Sequence, residues 1–170
     1  MKTAGIVCEY NPLHNGHLYQ INKTRLSGAT HIVCAMSGNF VQRGEPAFLD
    51  KWTRAQIAVK SGADLVVEIP VPWAVSGAES FARGSVTLLN NLGIDVLSFG
   101  CETDDEKKLL KAAETSKDEK VVSKLKAYTK SGLSYPLALQ KAAAELYGKE
   151  IGDLFNYRLF ITEGAQLNIL

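Results

Sequence analysis

No apolar run in this chain is long enough to cross a bilayer; the longest are short and broken by polar residues. A secretory leader is missing too, since Lys2 is followed by Glu9, Asn11, His14 and His17 before any adequate apolar stretch develops. Both absences predict a cytoplasmic protein with no membrane partner. Cysteine is scarce: Cys8, Cys34 and Cys101 are an odd, widely spaced set, each beside apolar residues near a predicted strand end. That excludes a disulfide framework and a paired zinc motif, and predicts buried, reduced thiols. Neither sign of charge is in excess. A net charge of +1 gives no global basic field to announce a nucleic-acid partner, although a local patch stays open. What is present is ordinary globular material. With 46% apolar and 22% charged residues, 170 residues suffice for one domain with a substantial core over 1–170.

Four short runs rich in β-branched residues predict strands over 3–8, 31–36, 65–69 and 96–99. Segments with helical spacing lie between them. Leu49, Trp52, Ala55 and Val59 fall on one helical face, with Pro46 near the start and Gly62 past the end. A second helix is predicted over 78–91, with Gly93 following. Strand and helix alternating predict an α/β fold, a doubly wound parallel sheet covered on both faces. Ligands of such sheets bind at the carboxyl ends of the strands. The chemically unusual stretches sit there: 9–17, 37–44, 68–73 and 100–102. One cleft is therefore expected.

From Glu102 to Lys130 the chain holds seven acidic residues and eight lysines among scattered leucines and valines, which predicts solvated amphipathic helices. The charged helical region is placed at 102–150; within it "SGLSYP" (131–136) reads as a turn, followed by a helix through Tyr147. The chain ends on the apolar "LNIL" without a stop signal, which predicts a domain continuing past Leu170.

Most of the chemistry is concentrated in "VCEYNPLHNGHLYQ" (7–20). A helix entered at about Gly16 or His17 would offer unpaired N–H groups and the positive end of its dipole, a good place for an anion. Gly16 lets phosphates approach the backbone, because no Cβ intervenes. His14 and His17 can donate to phosphate oxygens as charge develops on a leaving pyrophosphate. Two plainer readings stay open. The histidines could bind a metal, although no third ligand is evident at a usual spacing. Either one could simply cap the helix or fill a polar niche.

"NPLHNGH" resembles the H-x-G-H signature of the nucleotidyltransferase superfamily, whose members transfer adenylyl groups from ATP. The segments "GIVCEYNPLHNGHLYQI", "MSGNFVQRGEPA", "KWTRAQIAVKSGADLVVEIP", "SFG" before Cys101 and Glu102, and "SGLSYP" follow in order over nearly the whole chain. Together they are similar to the bacterial tRNA(Met) cytidine acetate ligase family. The resemblance implies a nucleotidyltransferase-like Rossmann-type fold with added C-terminal helices. It implies two steps: acetate and ATP give acetyl-adenylate and pyrophosphate, and the acetyl group then passes to N4 of the wobble cytidine of elongator tRNA(Met). It also implies a catalytic role for His14 and His17. The ATP contacts it implies are Val7, Cys8, Glu9, Tyr10, Asn11, Pro12, Leu13, His14, Asn15, Gly16, His17, Leu18, Tyr19 and Gln20, then Gly100 and Asn168. At the last of these the family pattern "NNIL" reads "LNIL" here, with Leu167 in place of the first asparagine.

In-line attack of a carboxylate on the α-phosphate needs the carboxylate held and the pyrophosphate charge neutralised. The histidines suit the second task, with Mg²⁺ expected to help. For acetate the candidates are Ser37, Asn39 and Arg43, which gather hydroxyl, amide and guanidinium donors at the next strand end. Glu68 reads either as a structural acceptor or as a catalytic carboxylate. Trp73 reads as core filling or as a platform for a base. Two other functions remain compatible with the signature: a small-molecule adenylyltransferase with a phosphorylated acceptor, and a non-catalytic domain that holds nucleotide or tRNA.

Overall fold

The four predicted strands all form, and every pairing between them is parallel. The computed structural model describes residues 1–42, 44–100 and 105–156 and the backbone of 168–169. Its contacts divide the chain into two units, Met1–Gly100 with Thr162–Leu170, and Cys101–Ile161. In the first, β1 (Thr3–Cys8) leads to α1 (Asn15–Leu26), β2 (His31–Ser37), α2 (Lys51–Lys60) and β3 (Leu65–Ile69). The short α3 (Val71–Ala74), α4 (Ala78–Asn91) and β4 (Val96–Ser98) follow.

Alternation along the strands sorts their side chains onto two faces. Ala4, Ile6, Cys8, Ile32, Cys34, Met36 and Val96 pack with Ile21 of α1 and Ala58 of α2. Val33, Ala35 and Ile69 pack with Ala74 of α3, Leu89 of α4 and Ile94. Helices therefore cover both faces, as a doubly wound sheet requires. A fifth strand, β5 (Asn168–Ile169), joins beside β4, giving the order β3-β2-β1-β4-β5. Because β2 and β4 lie on opposite sides of β1, the loops that leave the carboxyl ends of β1 and β4 diverge and leave a crevice there.

The helix around Trp52 forms, but it is rotated from the predicted face. Asp50 is its N-cap, accepting from the N–H groups of Trp52 and Thr53 at 2.9 and 3.0 Å. Arg54 and Ala58 turn inward, while Trp52 is 72% and Val59 50% exposed. Apolar spacing misplaces this face because the largest side chain it buries is a cation. Pro46 lies outside the helix, bridged to Phe40 in the preceding loop.

The second unit is helical: α5 (Glu106–Lys117), α6 (Glu119–Lys130), α7 (Tyr135–Tyr147) and α8 (Lys149–Asp153). Leu109, Ala112, Val121, Leu125, Ala138, Ala142 and Ala143 are its buried apolar residues. Lys108 pairs with Glu150 and Lys124 with Glu145, each at 2.6 Å on the surface, where such pairs add little stability. No described helix is long and apolar enough to cross a membrane. Cys8 and Cys34 are free and buried; Cys101 lies outside the described residues.

Candidate active site

The turn out of β1 is held in an uncommon conformation. Tyr10 has φ +44°, a left-handed value that costs a bulky residue roughly 1–3 kcal/mol. Burial compensates: the side chain is 1% exposed, and its hydroxyl lies 3.6 Å from Cys34 Sγ. Desolvation there pushes the phenol and the neighbouring Cys8 thiol well above their ordinary pKa, so both stay protonated. Two side chains of the same turn reach across to the β2–α2 loop. Glu9 Oε1 accepts the N–H of Gln42 at 2.6 Å, and Asn11 Oδ1 that of Phe48 at 2.7 Å.

Helix α1 starts one residue earlier than predicted, at Asn15, with His14 as its N-cap. Gly16 donates its N–H to His14 Nδ1 at 3.1 Å, and His14 donates its own to His17 Nδ1 at 3.2 Å. This is a capping box in which imidazoles replace the usual hydroxyl and carboxylate. The rings stack with centroids 3.7 Å apart and 23° between planes, and the edge of Tyr10 meets His17 at 4.9 Å. The capping role and the donor role do not compete. A ring nitrogen that accepts a hydrogen bond carries no proton, so each neutral ring carries its proton on Nε2. Partial burial, and then the facing His14 ring, lower the pKa of His17 and favour that neutral donor. The N–H groups expected to stay unpaired are partly used: Gly16 bonds the His14 ring, and His17 bonds the His14 carbonyl at 2.9 Å. An anion here would therefore meet two Nε2–H donors and the helix dipole more than bare backbone. Gly16 is needed for a further reason, since a Cβ there would lie 2.9 Å from His14 Cε1.

Gln20 and Thr24 tie α1 to β4. Gln20 Nε2 donates to the Ser98 carbonyl at 3.1 Å, and the Thr24 and Ser98 hydroxyls lie 2.6 Å apart. Gly100 follows two residues after Ser98 and is exposed. His14, Gly16, His17, Gln20 and Gly100 thus gather around the β1/β4 crevice. Val7 and Cys8 close β1 at the same end of the sheet, with their side chains in the two core faces. Leu13 packs beneath the turn, Tyr19 is 64% exposed along α1, and Asn15 and Pro12 are exposed. Leu18 is half-buried. Asn168 sits one strand beyond, its backbone in register with Val96.

The acetate candidates lie at the end of β2. Ser37 shares the parity of Val33 and Ala35, which directs it to the α3/α4 face, and its hydroxyl is buried without a hydrogen-bond partner among the described residues. Asn39 is engaged in the loop, its Oδ1 accepting the N–H of Lys51 at 3.0 Å and its carbonyl that of Ala47 at 2.9 Å. Arg43 lies outside the described residues, as does Glu102. Glu68 pairs with Lys51 at 2.6 Å and leans over Gly38. Trp73 is neither core nor free platform: it is 41% exposed and its ring covers Gly84, where a Cβ would lie 2.5 Å from it.

One residue of the region carries no motif. Arg54 is 1% exposed, and its guanidinium reaches Leu49 O at 3.0 Å, Glu9 O at 2.5 Å and Gly38 O. It lies inside the "KWTRAQIAVKSGADLVVEIP" segment, but its spacing of four from Ala58 is readable as a buried face only once the inward side of α2 is known. No group of three His, Cys, Asp or Glu side chains among the described residues could hold a metal ion.

The HIGH Nucleotidyl Transferase family model matches residues 1–163, including His14-Asn15-Gly16-His17 at the start of α1. The chain belongs to this family. As a HIGH nucleotidyl transferase it is 48% identical over 156 residues to the tRNA(Met) cytidine acetate ligase of Clostridium novyi, covering 89% of this chain and 39% of that protein. To the enzyme of the same name from a Thermoanaerobacter species it is 50% identical over 149 residues, covering 83% and 37%. A crystal structure of Thermotoga maritima TmcAL bound with alpha-thio ATP superposes with a TM-score of 0.82 at 36% identity, covering 94% of this chain and 41% of that one. Its apo form superposes equally well. The chain thus spans about two fifths of the length of these proteins.

Proposed function

We propose that this chain is the nucleotide-activating part of an ATP-dependent ligase that makes acetyl-adenylate and passes the acetyl group to N4 of the wobble cytidine of elongator tRNA(Met). The observation that carries this reading is the stacked histidine pair: both Nδ1 atoms are committed to the backbone, so both Nε2–H groups are left as donors at the positive end of α1. The names and the bound nucleotide analogue of the relatives supply the substrate class.

In the first step a carboxylate oxygen of acetate bonds to the α-phosphorus, and the bond from that phosphorus to the bridging oxygen of pyrophosphate breaks. His14 and His17 donate their Nε2–H groups to the oxygens on which the leaving charge grows. Gln20, held on Ser98, keeps α1 against the carboxyl end of β4, where the nucleotide would lie. Ser37, Asn39 and Arg43 are assigned to acetate by their position at the β2 end. In the second step the cytidine N4 bonds to the acetyl carbon, the bond from that carbon to the phosphate oxygen of AMP breaks, and one N4 proton passes to solvent. No protein metal cage fits the described donors, so Mg²⁺ would arrive on the ATP phosphates, which suits an ion that keeps most of its water.

ATP–pyrophosphate exchange tests the first step. Label is expected to enter ATP when acetate is added, and less with longer acids. Exchange driven by a phosphorylated acceptor instead would make the chain a small-molecule adenylyltransferase. Nucleotide binding with no exchange would make it a binding domain.

Gly16→Ala separates binding from folding. Its Cβ would push the His14 ring off the N–H it caps. ATP affinity by titration calorimetry is expected to fall at least about tenfold, equivalent to roughly 1.4 kcal/mol. The melting temperature is expected to hold, because alanine regains about 1 kcal/mol of helix propensity.

A further inference from the structure

We infer that Arg54 is a positioning residue that locks the histidine-bearing turn and the β2–α2 loop into one registration at the carboxyl end of the sheet. Its three carbonyl acceptors belong to three different segments: Glu9 follows β1, Gly38 follows β2, and Leu49 precedes α2. Glu9 opens the turn that ends at the His14 cap, and Gly38 opens the loop that holds Asn39. A single rigid guanidinium thus sets the separation of the two halves of the candidate site.

The geometry asks for arginine in particular. Among the described residues no carboxylate lies within ion-pair distance of it; carbonyl oxygens take its hydrogen bonds, and Glu9, Asp50 and Glu68 favour its charge from farther away. Burial in turn lowers its pKa from the usual arginine value. A planar fork spreads donors toward several acceptors at once, whereas an ammonium is a single point. The other two ties between the same segments, Glu9 to Gln42 and Asn11 to Phe48, stand nearer solvent and end on flexible side chains. Arg54 is the buried member that makes them register. The link to a carboxylate-activating site rests on the proposed function; the registration itself does not.

Hydrogen–deuterium exchange on the whole chain, unsubstituted and R54K, separates the two. Without ligand, the Gln42 and Phe48 amides of R54K are expected to exchange at least about tenfold faster, while sheet amides such as Ile6 and Cys34 keep their rates. Unchanged rates at both loop amides would overturn the inference. So would a uniform rise across the sheet, which is what a merely structural role predicts. Should R54K not fold, the unsubstituted protein decides: its Arg54 Nε–H, followed by nitrogen-15 NMR, is expected to exchange slowly, and exchange as fast as an exposed arginine's would overturn the inference. ATP added to the unsubstituted protein should protect 9–20 and 38–50 together. Protection of 9–20 alone would break the coupling and overturn the inference. A failure to bind ATP counts against the proposed function, and the ligand-free arm still decides Arg54.

Discussion

Replacing His17 with Ala or with Glu lowers acetate-dependent ATP–pyrophosphate exchange by about 10²–10³-fold, the usual cost of losing one placed donor to developing charge. The two variants differ in what they do to the fold. Alanine also deletes the Nδ1 that accepts the N–H of His14, a cap interaction worth about 0.5–2 kcal/mol. Glutamate restores an acceptor at the third helical position, where it is the customary capping-box residue, and its charge suits the helix N-terminus. The melting temperature should therefore drop for His17→Ala and hold for His17→Glu, while exchange collapses in both. A glutamate variant that keeps exchange within a few-fold of the parent would remove His17 from the chemistry and leave it a cap.

Gly5→Ala gives the largest expected loss of stability. Gly5 lies in the middle of β1, on the face covered by α4, and a Cβ there would meet the Ile94 side chain and come within 2.9 Å of Leu89 Cδ1. Leu89 is fully buried and Ile94 is 6% exposed, so neither has free space to enter. Overpacking of this kind costs about 1–3 kcal/mol. In a unit of this size that lowers the melting temperature by roughly 4–8 °C per kcal/mol. ATP affinity measured well below the transition should not change, because α1 and the histidine pair lie on the opposite face of the sheet. Unchanged melting would mean that α4 sits farther from β1 than described.

These two positions show how unevenly the protein could be read beforehand. The strands were legible because Thr3–Cys8 and Leu65–Ile69 are short β-branched runs bounded by turn residues, and both form over the predicted residues. Helix α4 likewise occupies the predicted 78–91. The histidine segment announced itself because two imidazoles around a glycine have no use in a core. Its ring nitrogens could not be assigned, since each Nδ1 takes its hydrogen bond from a backbone group that comes into reach only when α1 has formed. The face of α2 was misjudged for a related reason. Hydropathy places arginine outside, and only the meeting of Glu9 O, Gly38 O and Leu49 O in space makes a buried guanidinium favourable.

By itself, then, the order of apolar runs, caps and turns determined the alternating strands and helices, the parallel sheet, and the end of the sheet at which the unusual residues collect. Those are properties of neighbours in the chain, and local sterics and periodicity suffice for them. Tertiary structure alone decided the inward turn of Arg54, the pinning of α1 to Ser98, and the need for glycine at position 5. Each depends on groups far apart in sequence, and its energy exists only once the sheet has brought them within contact.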